Sequence, residues 1–343
     1  MVDLPAYLAD GAKKLRYIRS FLGRRLVHTN LQILYSCNLR CRICDFWQRS
    51  YQERPRLTTA QVEVISRKLA QIGPQIVSIG GGEPLLHEEL DAIVRVLSRH
   101  HFPVMISNGW FITPERARRL FAAGLYEVSV SVDYADPARH DAQRGREGAF
   151  DRALAALEAL QSGRVHPWQR VHMISVVMDD NLDQIEALLR VCADRQLTYL
   201  VTLYSSCRGK LESRAGRAQL GAELLRLKRA HPGFVQLRGY LSRFDEAVRG
   251  GVGPCHAGRN LCNIDSQGDV TLCIDRLDEP VGNLLVDDMA TIERRLLDRH
   301  RDNTCTSCWT SCRGCVETLM YGREGLLGNV ADYFEMTRPL PLA

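Results

Sequence analysis

From residue 26 to about residue 235, short runs of β-branched and apolar residues alternate with longer stretches of helical periodicity. The predicted strands span 27–36, 76–81, 103–109, 127–133, 170–178 and 199–206. The predicted helices span 58–73, 87–101, 113–124, 148–163, 181–195 and 216–231. Six such strand–helix units predict an α/β fold with parallel strands and helices outside, either an open barrel or a doubly wound sheet. In both arrangements ligands bind at the carboxyl ends of the strands.

A basic amphipathic segment precedes the first predicted strand. Leu15, Ile18 and Leu22 fall on one helical face, with most of the Lys and Arg side chains of residues 12–22 around it. We predict an N-terminal helix within residues 1–25. Such a helix commonly covers the open edge of the next domain, and a basic apolar face through residues 12–25 can also contact an anionic membrane surface.

Helical periodicity stops after about residue 236, where cysteines become frequent. Seven of them lie at positions 255, 262, 273, 305, 308, 312 and 315. The alternation and the central Gly268 of residues 263–273 predict a hairpin that presents Cys273. The pattern therefore predicts a core domain over residues 26–235 and a small Cys-rich domain over residues 236–343.

The composition indicates a compartment and a chemistry. Twelve cysteines in 343 residues, with neither a signal peptide nor an apolar run that could span a bilayer, are better interpreted as metal ligands than as disulfides. We therefore expect a cytoplasmic protein. Its net charge of +5 is too mild to indicate a nucleic-acid partner.

Three of the cysteines form a compact motif directly after the first predicted strand. Cys37, Cys41 and Cys44 have the spacing C-x3-C-x2-C. Three thiolates can hold three corners of a four-iron cluster, which leaves the fourth iron open to a ligand that is not protein. A zinc knuckle or three buried thiols are the alternatives. The motif resembles the signature of the radical S-adenosylmethionine (SAM) superfamily, with Ile43 in the variable apolar position.

Further motifs extend this resemblance along the chain. The run Gly80-Gly81-Gly82-Glu83-Pro84 is similar to the family's G-G-E-P motif, and glycines beside a carboxylate suit close approach to an ammonium group. The SAM-binding residues that the resemblance implies are Gly81, Gly82, Glu83, Pro84, Ser107, Asn108, Ser131, Asp133 and Arg144. The resemblance also implies a partial (β/α)6 radical SAM barrel with a small C-terminal Cys-rich iron–sulfur domain.

The C-terminal cysteines resemble the SPASM extension of this family, which holds two auxiliary four-iron clusters. The resemblance assigns to the nearer cluster Cys255, Cys262, Cys273 and Cys315. It assigns to the outer cluster Cys305, Cys308 and Cys312, with Asp332 as the predicted fourth ligand. The last two spacings are shorter than the family's, and no cysteine follows Cys315. A single cluster, or a structural zinc held by Cys305, Cys308, Cys312 and Cys315, therefore stays open as an alternative.

Members of the family cleave SAM reductively to a 5′-deoxyadenosyl radical, which removes a hydrogen atom from an unactivated carbon. The resemblance implies an oxidoreductase with a SAM-binding [4Fe-4S] cluster, one or two auxiliary [4Fe-4S] clusters and a flavodoxin- or ferredoxin-type reductant. Only 36 residues precede Cys37. We therefore expect a small or medium-sized metabolite as substrate, oxidised through the auxiliary clusters, with a peptide or protein substrate as the alternative.

Two other outcomes stay open. Cys207 follows the last predicted strand and would face the barrel mouth, where its thiol could return a hydrogen atom in a redox-neutral epimerisation. The chain could also be an iron–sulfur electron-transfer or scaffold protein. Such a protein would need neither a cysteine triad with an open iron nor the glycine motif.

Overall fold

Nine strands form one sheet in the computed structural model, which describes residues 4–205, 219–322, 325–338 and 342. The strands are β1 (His28–Leu34), β2 (Ile76–Gly81), β3 (Phe102–Ser107), β4 (Glu127–Ser131), β5 (Arg170–Val177), β6 (Thr198–Leu203), β7 (Leu261–Ile264), β8 (Asp269–Thr271) and β9 (Gly282–Asn283). Their order in the sheet is β6-β5-β4-β3-β2-β1-β7-β8-β9. Strands β1 to β6 are all parallel, so the predicted α/β class is confirmed.

Helices lie around this sheet. They are α1 (Leu4–Leu22), α2 (Arg49–Gln52), α3 (Thr59–Leu69), α4 (Leu90–Ser98), α5 (Pro114–Ala122), α6 (Pro137–Arg144), α7 (Ala149–Gly163), α8 (Leu182–Asp194), α9 (Leu220–Ala230), α10 (Arg238–Leu241), α11 (Phe244–Arg249), α12 (Met289–Arg301), α13 (Ser311–Tyr321) and α14 (Gly325–Thr337). Side-chain caps explain several helix starts: Thr58 accepts the N–H of Gln61 before α3, and Thr113 accepts that of Arg116 before α5. None of the described helices is long and apolar enough to cross a bilayer.

Strand β1 is buried along its whole length, because β2 lies on one side of it and β7 on the other. Successive side chains of a strand point to opposite faces of the sheet. Leu31 and Ile33 belong to the apolar core, whereas Asn30 and Gln32 line a cavity on the opposite face. The central strand therefore supports the packing with one face and contributes polar groups to the cavity with the other.

The C-terminal region continues the sheet of the core. Strand β7 pairs in parallel with β1, with Thr29 beside Cys262, and the predicted hairpin is present as antiparallel β7 and β8. Helix α13 contacts both β6 and β7, so it spans the gap between the two sides of the parallel strands. The six parallel strands therefore form an open barrel whose gap is covered by C-terminal residues. The proposed domain boundary near residue 236 stays a prediction.

Helix α1 covers the amino-terminal ends of the strands, in agreement with the expectation that this segment covers an open edge of the core domain. Lys13 Nζ donates to the carbonyl of Ser98 at 3.1 Å, and Tyr17 packs edge-on against Phe102 at the start of β3. Asn260, just before β7, donates to the carbonyls of the two residues that follow Gly23. This end of the sheet lies opposite the carboxyl ends of the strands, where ligands bind in parallel sheets.

The ends of β1 and β2 approach each other more closely than side chains would allow. Gly82 donates its N–H to the carbonyl of Leu34 and Glu83 donates to that of Ser36, at 3.0 and 2.9 Å. A Cβ at Gly82 would overlap the carbonyl oxygen of Ser36, and one at Gly81 would overlap that of Leu34. Gly81 also has a φ of +121°, which side chains rarely permit. The glycines therefore set the path of the chain from β1 into the cysteine loop.

Replacing Gly82 with Ala should destabilise the protein, because either the strand end or the cysteine loop must move. We expect the thermal midpoint to fall by about 5 °C, in line with overpacking costs of about 1–3 kcal/mol. Circular dichroism of anaerobically purified protein measures the change. Gly80→Ala on the same strand is the matched control, since its nearest neighbour would be the Gln32 side-chain oxygen at 3.3 Å. Equal midpoints for the two variants would contradict the prediction.

Candidate active site

A cavity of about 680 Å³ lies at the carboxyl ends of the parallel strands. Its wall includes residues from the ends of β1 to β6, from the loop after β1 and from the loops after β8 and α12. A first group of cysteines lines it with Cys37, Cys41 and Cys44. A second group consists of Cys255, Cys273, Cys305, Cys308 and Cys312. The fold thus brings two distant groups of thiols to one cavity.

The first cysteine group lies on loop 37–44, directly after β1. Two N–H groups of this loop donate to carbonyls at the carboxyl end of α6: Arg40 to Arg144 at 3.2 Å, and Arg42 to Gln143 at 3.0 Å. The last carbonyls of a helix accept no hydrogen bond from the helix itself. Here the N–H groups of the cysteine loop bond to them. Backbone contacts with β2 and α6 therefore hold the three thiols in place.

The donor chemistry of this group fits an iron–sulfur cluster. Burial raises the pKa of Cys37 to about 12, so this thiol becomes a thiolate only when a metal displaces its proton. Among the described residues, no three His, Cys, Asp or Glu side chains converge closely enough to hold a single metal ion. Three thiols on one loop match the Cys ligation of three corners of a four-iron cluster, the ligand set that the resemblance implies.

Both carboxylate oxygens of Glu83 are engaged at the end of β2. Oε1 accepts from Ser107 Oγ at 2.8 Å and from Leu85 N at 3.1 Å, and Oε2 accepts from Asn108 N at 2.8 Å. Glu83 is almost fully buried, and burial raises the pKa of its carboxyl above the ordinary value. Glu83, Ser107 and Asn108 all line the cavity. The predicted SAM-binding residues of β2 and β3 therefore form one hydrogen-bonded group.

Arg144 and Asp133 form a buried ion pair beside the first cysteine group. Arg144 Nη2 lies 2.6 Å from Asp133 Oδ2, and both side chains are almost fully buried. Arg144 lines the cavity, and its Nη1 lies 3.9 Å from Cys41 Sγ. The buried Nε of Arg144 has no hydrogen-bond partner among the described residues. That free donor fits a ligand carboxylate, the role that the resemblance implies for this residue.

The other predicted SAM-binding residues divide between the wall and the layer behind it. The cavity wall includes Gly81, Gly82 and Ser131. Pro84 begins the short turn after β2, and neither Pro84 nor Asp133 belongs to the wall. Asp133 binds Arg144 with one oxygen and a backbone N–H of β5 with the other. Asp133 therefore holds Arg144 in place, and its own predicted role in SAM binding stays a prediction.

The second cysteine group is centred on Cys308. Cys308 lies close enough to Cys255 and Cys273 for their charges to interact. The buried Arg313 donates from Nη1 to the carbonyl of Cys308 at 2.7 Å. Burial raises the pKa of the Cys255 thiol to about 11, and the positive charge of Arg313, which also lies near Cys308, partly offsets this rise. These thiols, with Cys305 on the same loop as Cys308, form a donor set that fits a second cluster.

Cys262 and Cys315 do not line the cavity, although Cys315 lies close enough to Cys312 for their charges to interact. Cys262 of β7 follows Leu261, which lines the cavity, so its side chain points to the other face of the sheet. Its Sγ lies 3.6 Å from Thr29 Oγ1. Cys315 lies on α13 and accepts a hydrogen bond from Gln236 Nε2 at 3.1 Å. Neither thiol lines the cavity, and the predicted ligand set that contains both stays a prediction.

The side chain of Asp332 is engaged elsewhere. Oδ1 accepts from Arg238 Nε at 2.8 Å and Oδ2 accepts from Arg238 N at 2.7 Å. Asp332 thus binds the first residue of α10 with both oxygens while it is only 2% exposed. The role of Asp332 as the fourth ligand of an outer cluster stays a prediction. Cys207, the predicted hydrogen donor, lies outside the described residues.

A polar group on the floor of the cavity was absent from the predicted site. Asn30 and Gln32 of β1 line the cavity, and Gln32 Nε2 donates to Asn263 Oδ1 of β7 at 3.2 Å. Asn263 donates to Thr271 Oγ1, which donates to the carbonyl of Cys273. Gln32 Oε1 is buried and has no hydrogen-bond partner among the described residues. The available signal was the alternation of Asn30 and Gln32 with the apolar Leu31 and Ile33 in this strand.

The parallel open barrel, the thiol loop at its mouth and the second thiol group at the same cavity define an iron–sulfur enzyme. The family model of the Radical SAM superfamily matches residues 31–192. Mycofactocin maturase MftC of Mycolicibacterium smegmatis is 31% identical over 317 residues, which cover 82% of this chain and 76% of that protein. The chain belongs to the radical SAM superfamily, and its C-terminal region is of the SPASM type.

Two solved structures share this fold. SuiB of Streptococcus suis bound to precursor peptide SuiA has a TM-score of 0.62 and 18% identity, over 85% of this chain and 71% of that chain. The structure of anSMEcpe with bound AdoMet has a TM-score of 0.62 and 15% identity, over 90% of this chain and 96% of that chain. The predicted radical SAM barrel is therefore confirmed, and SAM and a [4Fe-4S] cluster are the cofactors of the family.

Asp133→Asn should impair the site through Arg144, because a buried guanidinium then loses its counter-ion. Removing one partner of a buried ion pair costs about 3–5 kcal/mol. We expect a lower thermal midpoint and SAM binding weakened by about tenfold or more in equilibrium dialysis, because a misplaced guanidinium loses a charge-assisted hydrogen bond. Asp183→Asn is the matched control, since Asp183 lies 3.6 Å from the exposed Arg139 and surface pairs contribute about 0–1 kcal/mol. Unchanged SAM affinity in Asp133→Asn would contradict the positioning role.

Proposed function

We propose that this chain removes a hydrogen atom from a carbon of a peptide substrate and oxidises the resulting substrate radical through one auxiliary cluster. The cavity that both cysteine groups line supports this proposal, because a substrate there lies between the SAM site and an electron acceptor. The overall change is a two-electron oxidation. SAM and the substrate give methionine, 5′-deoxyadenosine, a proton and the oxidised product, and the electron supplied by a reductant is returned when the substrate radical is oxidised.

The residues of this chain bind the cofactor and enclose the reaction. With SAM and its cluster bound, the site supplies a 5′-deoxyadenosyl radical. The proposed ligands of that cluster are Cys37, Cys41 and Cys44, and the proposed SAM-binding residues are Gly81, Gly82, Glu83, Ser107, Asn108, Ser131 and Arg144. Ile106, Ile174 and Val176 present apolar side chains that exclude water from the cavity. Gln32 offers a buried acceptor to a donor group of the substrate.

One auxiliary cluster fits the second cysteine group better than two. We assign as its ligands Cys255, Cys273, Cys305 and Cys308, which all line the cavity. A second cluster would need Cys262, Cys315 and Asp332, and these residues contact other parts of the fold. Cys312, the second residue of α13, lines the cavity without a role in this assignment.

Fully reconstituted protein should therefore hold about eight iron atoms per chain, four at each cysteine group. Cys273→Ser should lower the content to about four, because one corner of the auxiliary cluster is lost. Cys262→Ser, from the same hairpin, is the matched control and should keep the full content. Iron and sulfide analysis with electron paramagnetic resonance measures both. About twelve iron atoms in the unchanged protein, or iron loss in Cys262→Ser, would instead indicate two auxiliary clusters.

The relatives support a peptide in place of the small metabolite that the sequence led us to expect. The similarity to MftC, which is named a maturase, extends over 82% of this chain. SuiB and anSMEcpe, which share the fold, were both solved with peptides bound. Charged and polar residues such as Asp275, Arg276 and Asn303 also line the cavity and can bind peptide groups. A cytoplasmic location and a flavodoxin- or ferredoxin-type reductant belong to the same proposal.

Synthetic peptides test the proposed reaction directly. Short peptides encoded beside the gene for this chain are incubated anaerobically with reconstituted protein, SAM and dithionite. We expect 5′-deoxyadenosine together with a peptide that has lost two hydrogen atoms in the mass spectrum. Cys273→Ser should still cleave SAM but give no oxidised peptide. Replacing Cys37, Cys41 and Cys44 with Ala should abolish SAM cleavage while iron at the second group remains.

Other outcomes would contradict parts of the proposal. Turnover of a small metabolite but of no peptide would show that the substrate is a metabolite, as the sequence alone led us to expect. A peptide of unchanged mass that gains one solvent deuterium on carbon in heavy water would show epimerisation, with Cys207 as the candidate donor. Iron binding without any 5′-deoxyadenosine would show an electron-transfer or scaffold protein.

A further inference from the structure

Helix α1 has two faces, and only one of them packs on the barrel. Lys13, Tyr17 and Ser20 face inward: Lys13 bonds to the end of α4, Tyr17 packs on the start of β3, and Ser20 is buried. The opposite face carries Leu15 and Ile18, together with Leu22 one turn further on. Their exposed fractions are 69%, 50% and 65%, which makes them a continuous apolar ridge. A ridge of this kind on an ordered helix needs a partner.

Positive charge surrounds this ridge. Residues 10–25 contain six Lys and Arg but one Asp, so this segment alone has a charge equal to the +5 of the whole chain. The Asp10 carboxylate forms an ion pair with Lys14, whose Nζ lies 2.6 Å from Asp10 Oδ2. Arg16 and Arg19 are exposed beside the ridge and form no ion pair with any residue that the structure describes. Two cations next to the leucines are therefore available to an external anion.

We propose that this face of α1 binds the surface of an anionic lipid bilayer, with Leu15, Ile18 and Leu22 in the acyl boundary and Arg16 and Arg19 at the lipid phosphates. A convex apolar ridge with flanking cations is the pattern of helices that lie in a membrane interface. The helix lies parallel to the membrane in this arrangement and does not cross it.

The position and charge of α1 favour a bilayer over protein partners. An electron donor must approach the clusters, but α1 lies at the amino-terminal end of the strands, and strands of about six residues separate it from the cavity by roughly 20 Å. A second copy that packs antiparallel on this face would bring Arg16 and Arg19 near the same residues of its partner, and this repulsion opposes such a dimer. The cavity mouth faces away from the bilayer and stays accessible.

Vesicle flotation tests the proposal with the reconstituted full chain. The probes are vesicles of phosphatidylcholine alone and vesicles that contain about 30% phosphatidylglycerol. We expect binding to the anionic vesicles that weakens as salt is added. The double variant Leu15→Asp/Leu22→Asp should reduce this binding by about tenfold or more, because two apolar anchors are replaced by anions. Arg16→Gln/Arg19→Gln should reduce it by about fivefold per arginine, while weak binding to neutral vesicles is unchanged.

Val286→Asp is the matched control, because Val286 is 83% exposed and lies outside α1. It should bind vesicles like the unchanged protein, and all variants should keep full SAM cleavage, which shows that they fold. The proposal would be overturned if the leucine variant and the arginine variant bound anionic vesicles as well as the unchanged protein does. It would also be overturned if the unchanged protein showed no preference for anionic vesicles. A concentration-dependent dimer in sedimentation velocity that Leu15→Asp/Leu22→Asp abolishes would overturn it too, since the ridge would then bind a second copy.

Discussion

The backbone contact between the ends of β1 and β2 is the constraint on which the active site depends. Because Gly81 and Gly82 lack side chains, the second strand can donate to the carbonyls of Leu34 and Ser36. The first of these carbonyls ends β1 and the second begins the cysteine loop. The same turn carries Glu83, which binds the end of β3 through Ser107 and Asn108. One close contact therefore fixes both the thiols and the polar residues that face the same ligand.

A buried ion pair completes this arrangement from the other side. The carboxyl end of α6 accepts two N–H groups of the cysteine loop, and its last residue, Arg144, reaches the cavity. A buried guanidinium is costly unless a counter-ion is held beside it. Asp133 at the end of β4 supplies that charge, and β5 donates to its other oxygen. The cation can thus remain in the wall with one donor free, which is useful at a site for an anionic ligand group.

Local sequence patterns predicted most of the barrel, but they could not reveal how its distant parts meet. The periodicities placed the helices and parallel strands close to their observed bounds. The pairing of β7 with β1 joins residues more than two hundred positions apart, and no local pattern records it. The place of Cys262 on one face of a short strand follows from that pairing, so the local sequence does not predict it.

Spacing alone does not reveal the neighbours of the other C-terminal positions either. Asp332 was predicted as a ligand because it lies near where the family's last cysteine falls, but packing decides what each side chain meets. Cys315 lies on α13 beside Gln236, and Asp332 binds Arg238. The glycine motif and Cys37, Cys41 and Cys44 were more secure because their positions depend on neighbouring residues in a single turn. Features that depend on contacts between residues close in sequence could therefore be predicted, and features that depend on distant contacts could not.

The parallel pairing of β1 with β7 gives the two halves of the site a fixed relation. Gln32 on β1 is hydrogen-bonded to Asn263 on β7, and from there through Thr271 to the carbonyl of Cys273. Sheet register is set by backbone hydrogen bonds and does not slide when one face is buried. A substrate group held by Gln32 would therefore be placed relative to Cys273 by the same strands that place Cys37 after β1. If Cys273 holds the electron acceptor, the sheet itself, and not a flexible linker between domains, determines how far the electron must travel.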